Sequence, residues 1–136
     1  MKDIVDFLFN VKNFILYLWQ LPQNIIGLLV VFFSKAWTFS EEREVWWTEC
    51  NFGVSLGNYI ILNANSSTND IRHEKGHQRQ SLYLGWLYLI VIGLPSALGN
   101  LYDRWFHKDW TYYHRERWYY AQPWEAWADK LGGVER

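Results

Sequence analysis

Two histidines four residues apart, with a glutamate directly after the first, sit inside Arg72–Gln80 as His73-Glu74-Lys75-Gly76-His77. On an α-helix His73 and His77 lie one turn apart on the same face. Two imidazoles placed so can share one metal ion. Glu74 stands beside them and is better placed to take a proton from a water activated by that ion. The alternative is an ordinary charged helix start whose polar side chains face water. Three fixed positions in a chain with only four histidines favour the metal.

A catalytic zinc needs a third protein ligand and an open position for water. His107 and His114 are available, and so are the downstream carboxylates. One stretch is better than the rest: "PWEAWADKLGG", Pro123 to Gly133. Glu125 and Asp129 lie four apart, on one face of a predicted last helix. Glu125 can ligate the ion, and Asp129 can accept the second ring N–H of a ligating histidine and fix its tautomer. The alternative is a pair of solvated helix carboxylates. Trp124 and Trp127 argue against it, because they suggest that this helix packs on something.

HExxH followed by a helix carrying Glu-x-x-x-Asp resembles the gluzincin class of zinc metallopeptidases, the thermolysin-like architecture in its smallest form. The matching residues are His73, Glu74, His77, Glu125 and Asp129, and Gly76 in "HEKGH" is also common in that class. The resemblance implies one Zn²⁺ per chain, Glu74 as general base, and a peptide or protein substrate. It covers the motif helix, the last helix and the strand before the motif, and leaves out the first forty residues. Forty-seven residues separate His77 from Glu125, more than in the simplest members, so His114 stays open as an alternative third ligand. In zincins the strand before the motif helix forms an upper rim to which substrate adds as a further strand. By position that strand is Gly57 to Asn65, with Tyr59, Ile60 and Ile61 at its centre; the alternative is a plain core strand. A donor to the transition-state oxygen is also expected. Tyr112, Tyr113, His114, Arg117, Tyr119 and Tyr120 all qualify, and the sequence does not choose among them.

The elements that must position these residues follow from patterning. A chain of 136 residues suggests one domain, with 1–36 a hydrophobic helical hairpin or membrane anchor and 45–136 a metallopeptidase-like core. Pro22 interrupts the first uncharged stretch, Asn13 to Ser34, and predicts two helices, about Ile4–Leu21 and Asn24–Lys35, with a bend between. β-branched and aromatic residues predict strands at about Val45–Asn51 and Asn58–Leu62, with a turn region around Gly53 and Gly57. Thr68, Asn69 and Asp70 are cap types ahead of a helix from about Ile71 to Ile92, ended by Gly93-Leu94-Pro95. "HKDWTYYHRERWYYAQP" is a surface segment of no assigned form, and the last helix runs from Pro123 to a Gly132-Gly133 cap. The fold class is therefore α+β and mostly helical, with a small strand pair or sheet beside the motif helix, a C-terminal glutamate-ligand helix, and membrane-associated N-terminal helices.

Composition narrows the function. A net charge of −1 gives no electrostatic case for nucleic acid. Cys50, the only cysteine, excludes an intrachain disulfide framework. Asn65-Ser66-Ser67 fits the glycosylation pattern by chance, and no cleavable signal peptide is read at the start. Ten Trp and nine Tyr exceed what a core of this size needs, and such residues favour membrane–water interfaces. The second uncharged stretch, Gln80 to Tyr102, is long enough to raise a transmembrane reading. A single crossing would put His77 and Glu125 on opposite sides. A return through Asp103, Arg104, Lys108, Asp109, Arg115, Glu116 and Arg117 would cost about 2.5–3.5 kcal/mol per charge at the bilayer centre. The stretch is therefore expected to turn at Pro95 without spanning, with Trp86, Tyr88, Tyr102, Trp105 and Trp110 at the lipid interface. These readings together predict a membrane-associated zinc metallopeptidase. The alternatives are a non-catalytic membrane assembly or immunity-type protein with a structural or vestigial metal site, and a bilayer-spanning protein whose motif is only a juxtamembrane polar cap.

Overall fold

The structure is a computed structural model that describes residues 1–39 and 42–136. Helix α1 (Lys2–Trp19) meets α2 (Leu21–Phe33) at 86°. Pro22 falls in the first turn of α2, where its missing N–H has no intrahelical partner to lose. The bend therefore comes at Gln20, just ahead of the proline. A four-stranded sheet follows: β1 (Trp37–Phe39), β2 (Glu42–Thr48), β3 (Gly53–Leu56) and β4 (Tyr59–Asn63), in the order β1-β2-β4-β3. β2 runs parallel to β4, with Val45 beside Ile60 and Trp47 beside Leu62, and β3 pairs antiparallel with β4.

Two of these strands match expectation and two do not. β3 lies in the stretch read as a turn, because Gly53 and Gly57 hid a short hairpin arm. β1 is three residues long and carries too little pattern to be seen. The order also corrects the expected rim. β4, which holds Tyr59, Ile60 and Ile61, is hydrogen-bonded on both sides, so it cannot accept a further strand. Ile60 and Ile61 are fully buried, and β4 is the core strand of the sheet. The edge nearest the motif helix is β3. Val45, Ile60 and Leu62 form the small apolar core, with Trp47 and Ile71 packed against it.

The motif helix α3 (Thr68–Leu84) starts at Ser67, whose hydroxyl accepts from the Asp70 N–H while the Asp70 carboxylate accepts from the Ser67 N–H. The helix does not run on to Ile92. It ends at Gly85, passes through a 3-10 turn (Gly85–Leu87) and a π-helical turn (Leu89–Gly93), and continues as α4 (Leu94–Phe106), bent by 118° overall. Pro95 sits in the first turn of α4 and ends nothing. Gly85 makes the break: its φ of +54° is a glycine conformation, and a Cβ there would lie 2.3 Å from the Trp19 ring. Trp19 donates to the Leu82 carbonyl and Trp86 to the Leu18 carbonyl, tying the end of α1 to the end of α3. The unassigned aromatic segment contains α5 (Tyr112–Tyr120). The last helix, α6 (Pro123–Gly132), closes on Gly133 at φ +72°.

Burial is distributed inside out in the uncharged segments. Gln20, Gln23, Asn24, Gln80 and Ser81 are at most 1 % exposed, whereas Phe32, Phe33, Trp86, Leu87, Ile90 and Leu98 stand well out of the surface. The buried polar groups pair with one another: Gln23 donates to Ser81 Oγ and to the Gly85 carbonyl, and Ser81 Oγ donates to Gln20 Oε1. Among the described residues no single helix is long and apolar enough to cross a membrane, although each bent helix pair has the length and composition in two pieces. Of the residues expected at a lipid interface, Trp86, Tyr102, Trp105 and Trp110 are exposed, but Tyr88 is buried and donates its hydroxyl to the Ser55 carbonyl.

Candidate metal centre

The local sequence of α3 places its polar residues on an inward face. His73, Glu74, Gly76, His77, Gln80 and Ser81 are all buried, the spacing of one helical stripe. That stripe packs on α6. Gly76 permits the contact, because a Cβ at position 76 would lie 1.9 Å from the Ala128 carbonyl oxygen. At this distance Glu125 reaches across from α6 between the two histidines.

His73 Nε2 and His77 Nε2 both approach one oxygen, Glu125 Oε2, at 3.1 and 3.0 Å. The three side chains form a buried group with one ligand atom each, all within 4.8 Å of one another. Ligand atoms about 2.0–2.1 Å from a tetrahedral zinc would be about 3.3 Å apart, so these three residues fit such an ion with little rearrangement. The far sides of the imidazoles are fixed as well. His73 Nδ1–H donates to Asp129 Oδ1 at 2.7 Å, and His77 Nδ1–H donates to Gln80 Oε1 at 2.7 Å. The Gln80 amide group in turn donates to the Trp124 carbonyl, which settles the orientation of its oxygen toward His77. Both histidines thus present Nε2 to the centre, the arrangement in which outer partners set the ligand tautomer.

Electrostatics separate the carboxylates. Burial pushes the Glu125 carboxyl up, but the hydrogen bonds from His73 and His77 outweigh it and hold it well below the usual range. Burial lowers the His73 imidazole, and its bonds to Asp129 and Glu125 more than reverse that, to about 9. Burial lowers His77 as well, and its bond to Glu125 and the Glu74 charge raise it beyond that. Glu74 moves in the opposite sense to Glu125: burial raises it, against the pull of His77 and His73. Its Oε2 is buried with no hydrogen-bond partner. An acceptor held without a partner beside a ligand set is what a water at the centre would satisfy.

Chain comparisons give no match: none to a family model, to a curated protein or to a solved structure. The site therefore rests on its own residues.

Of the sequence-derived candidates, His73, His77, Glu125, Asp129 and Glu74 come together. His114 does not. It is exposed on α5 and its ring bonds the Thr111 hydroxyl, so it is no third ligand. His107 is held by Asp103 at 3.1 Å and stacked on Trp110, in a separate aromatic cluster. Tyr119 and Tyr120 line the cavity of about 1070 Å³ that opens beside His73, Glu74 and His77. Tyr113, His114 and Arg117 do not line it, and Arg117 lies over the Tyr113 ring. Tyr112 reaches the cavity but donates its hydroxyl to Glu116. Burial, then the Glu125 charge, raises the Tyr119 hydroxyl, and burial raises that of Tyr120, so both remain donors at neutral pH.

Two residues of the site were missed from sequence. Gln80 sits three positions after His77, on the same helical face, and that spacing was the available signal. Ser96 donates to Glu125 Oε1 at 2.5 Å and contacts the Tyr119 hydroxyl at 3.0 Å. It comes from α4, beyond the bend, so no local pattern connected it to the motif.

Proposed function

We propose that the protein is a membrane-associated zinc metallopeptidase. The observation that carries this reading is the convergence of His73 Nε2, His77 Nε2 and Glu125 Oε2 beside the unpartnered carboxylate oxygen of Glu74, at the edge of a large cavity. His73, His77 and Glu125 would hold the ion, with Asp129 and Gln80 orienting the two imidazoles. Bound zinc supplies Lewis acidity that makes a water acidic and a peptide carbonyl electrophilic.

The remaining steps belong to the chain. Glu74 accepts one proton from the water as its oxygen bonds to the carbonyl carbon. The C–N bond then breaks, and Glu74 returns the proton to the departing nitrogen, leaving an acid and an amine. The burial that raises Glu74 suits this double role, since a carboxylate closer to neutrality both takes and gives a proton. Tyr119 or Tyr120 donates to the oxygen that gains charge. An extended peptide has one open sheet edge available beside the cavity, β3, where Gly53–Leu56 line the wall. The membrane association rests on the inside-out burial of α2 and the Gln80–Tyr102 segment, beside the apolar exposure of α1. Polar groups that are turned inward and paired are what a lipid environment requires.

The experiment is hydrolysis of a mixed peptide pool by the zinc-loaded protein, followed by mass spectrometry. The expected result is new peptide termini with the wild type and none with Glu74→Gln. Equal cleavage by the two proteins would refute the mechanism. A non-catalytic protein with a structural ion would retain zinc and cleave nothing, and the unpartnered Glu74 is the observation that argues against it.

A further inference from the structure

We infer that the substrates are peptide segments emerging from a lipid bilayer, cut within about five residues of its surface; this rests on the peptidase reading above. The exposed apolar surface begins on the motif helix itself, close to the candidate centre. Leu82 follows His77 by five residues and Trp86 follows it by nine, and both are exposed. At about 1.5 Å per residue Leu82 lies about 8 Å along α3 from His77, and Trp86 follows just past the helix end at Gly85. The seven residues of α3 beyond His77 rise only about 11 Å, and tilting the helix toward the membrane plane shortens the height of the centre above the lipid further. An extended peptide covers that height in about four residues.

The cavity mouth points the same way. Ile26, Leu94 and Leu101 line the cavity and are themselves 40–54 % exposed, so its rim is continuous with the apolar surface of α2 and α4. The open edge of β3 lines the same cavity. A chain leaving the lipid would meet the apolar rim first and the sheet edge next.

Lipid is the occupant that fits this surface. The segment from Gln80 to Tyr102 has no charged residue, nor has α2, and acidic and basic side chains lie only beyond their ends. Gln23, Asn24, Gln80 and Ser81 within these segments are buried and hydrogen-bonded, and the indole N–H groups of Trp19 and Trp86 are bonded to carbonyls. A water-facing protein partner would tolerate a mixed surface and would not require every donor to be satisfied internally.

The test uses the full chain with zinc in vesicles of phosphatidylcholine and phosphatidylglycerol. The probe is a degenerate peptide library, either free or attached to a palmitoyl anchor through a linker of about three or about fifteen flexible residues. Cut positions are read by mass spectrometry. Anchoring alone raises local concentration, so position rather than rate is decisive. The expected result is that cuts in the short-linker library cluster beside the anchor, and that with the long linker they move into the linker or fall at least tenfold. Cuts spread along the peptide regardless of linker, or a free library cleaved as well as the anchored one, would overturn the inference and leave the peptidase standing. A protein that self-associates in solution and does not bind the vesicles would overturn it too, making a second copy the occupant. Zinc-loaded protein that cleaves neither library would remove the peptidase reading, and the inference with it.

Discussion

At the candidate centre, one side chain couples both sides of the ligand set. Gln80 accepts from His77 with its oxygen and donates to the Trp124 carbonyl with its nitrogen, next to Glu125 in the chain. Gln80→Leu should therefore weaken zinc affinity about 10–100-fold, read by competition with a chromogenic chelator. Unchanged affinity would reduce Gln80 to packing. Glu74→Gln should retain the ion and lose about 10²–10⁴ in turnover, measured on the same cleaved peptide as the wild type. The motif and its glutamate helix were legible because helical spacing alone aligns each pair. The choice between Glu125 and His114 was not, since it depends on which of two distant segments folds back. Asp129 was readable from its i,i+4 relation to Glu125, whereas Ser96 arrives by a bend that no periodicity announces.

Among the elements, the contact of α3 with α6 decides whether a site exists at all. Gly76 packs against the Ala128 carbonyl and Gly132 against that of Arg72, so the two helices touch backbone to backbone at both points. Gly76→Ala should destabilise the fold by about 1–3 kcal/mol through overpacking, measured by chemical denaturation. It should also lower zinc affinity, because Glu125 moves away with α6. A variant with wild-type stability and affinity would show that the helices have room to spare. The helices were readable where caps and apolar spacing agreed, as at Ser67-Asp70 and Pro123. They were misread where a glycine conformation overrode an apolar run: Gly85 breaks what looked like one helix through Ile92. The hairpin arm β3 was lost for a related reason. Gly53 and Gly57 signalled a turn, and only the second of them belongs to one.

For the molecule as a whole, the candidate centre brings together the two ends of the second uncharged stretch. The 118° bend falls within Gln80–Tyr102, and Glu125 from beyond it joins His73 and His77. The expectation that this stretch turns back came from ligand geometry and charge cost, although the turn lies at Gly85 rather than Pro95. The protein should float with phosphatidylcholine–phosphatidylglycerol vesicles and resist extraction by high salt, since the surface it offers lipid is uncharged. Release by salt alone would mean that its charged segments carry the binding. The most direct measurement is elemental analysis of the detergent-purified full chain, wild type beside Glu125→Ala. One zinc per chain in the wild type, and loss of most of it in the variant, is the expected result. A wild type free of metal after purification without chelators, or a variant that keeps its full zinc content, would contradict the three-residue centre.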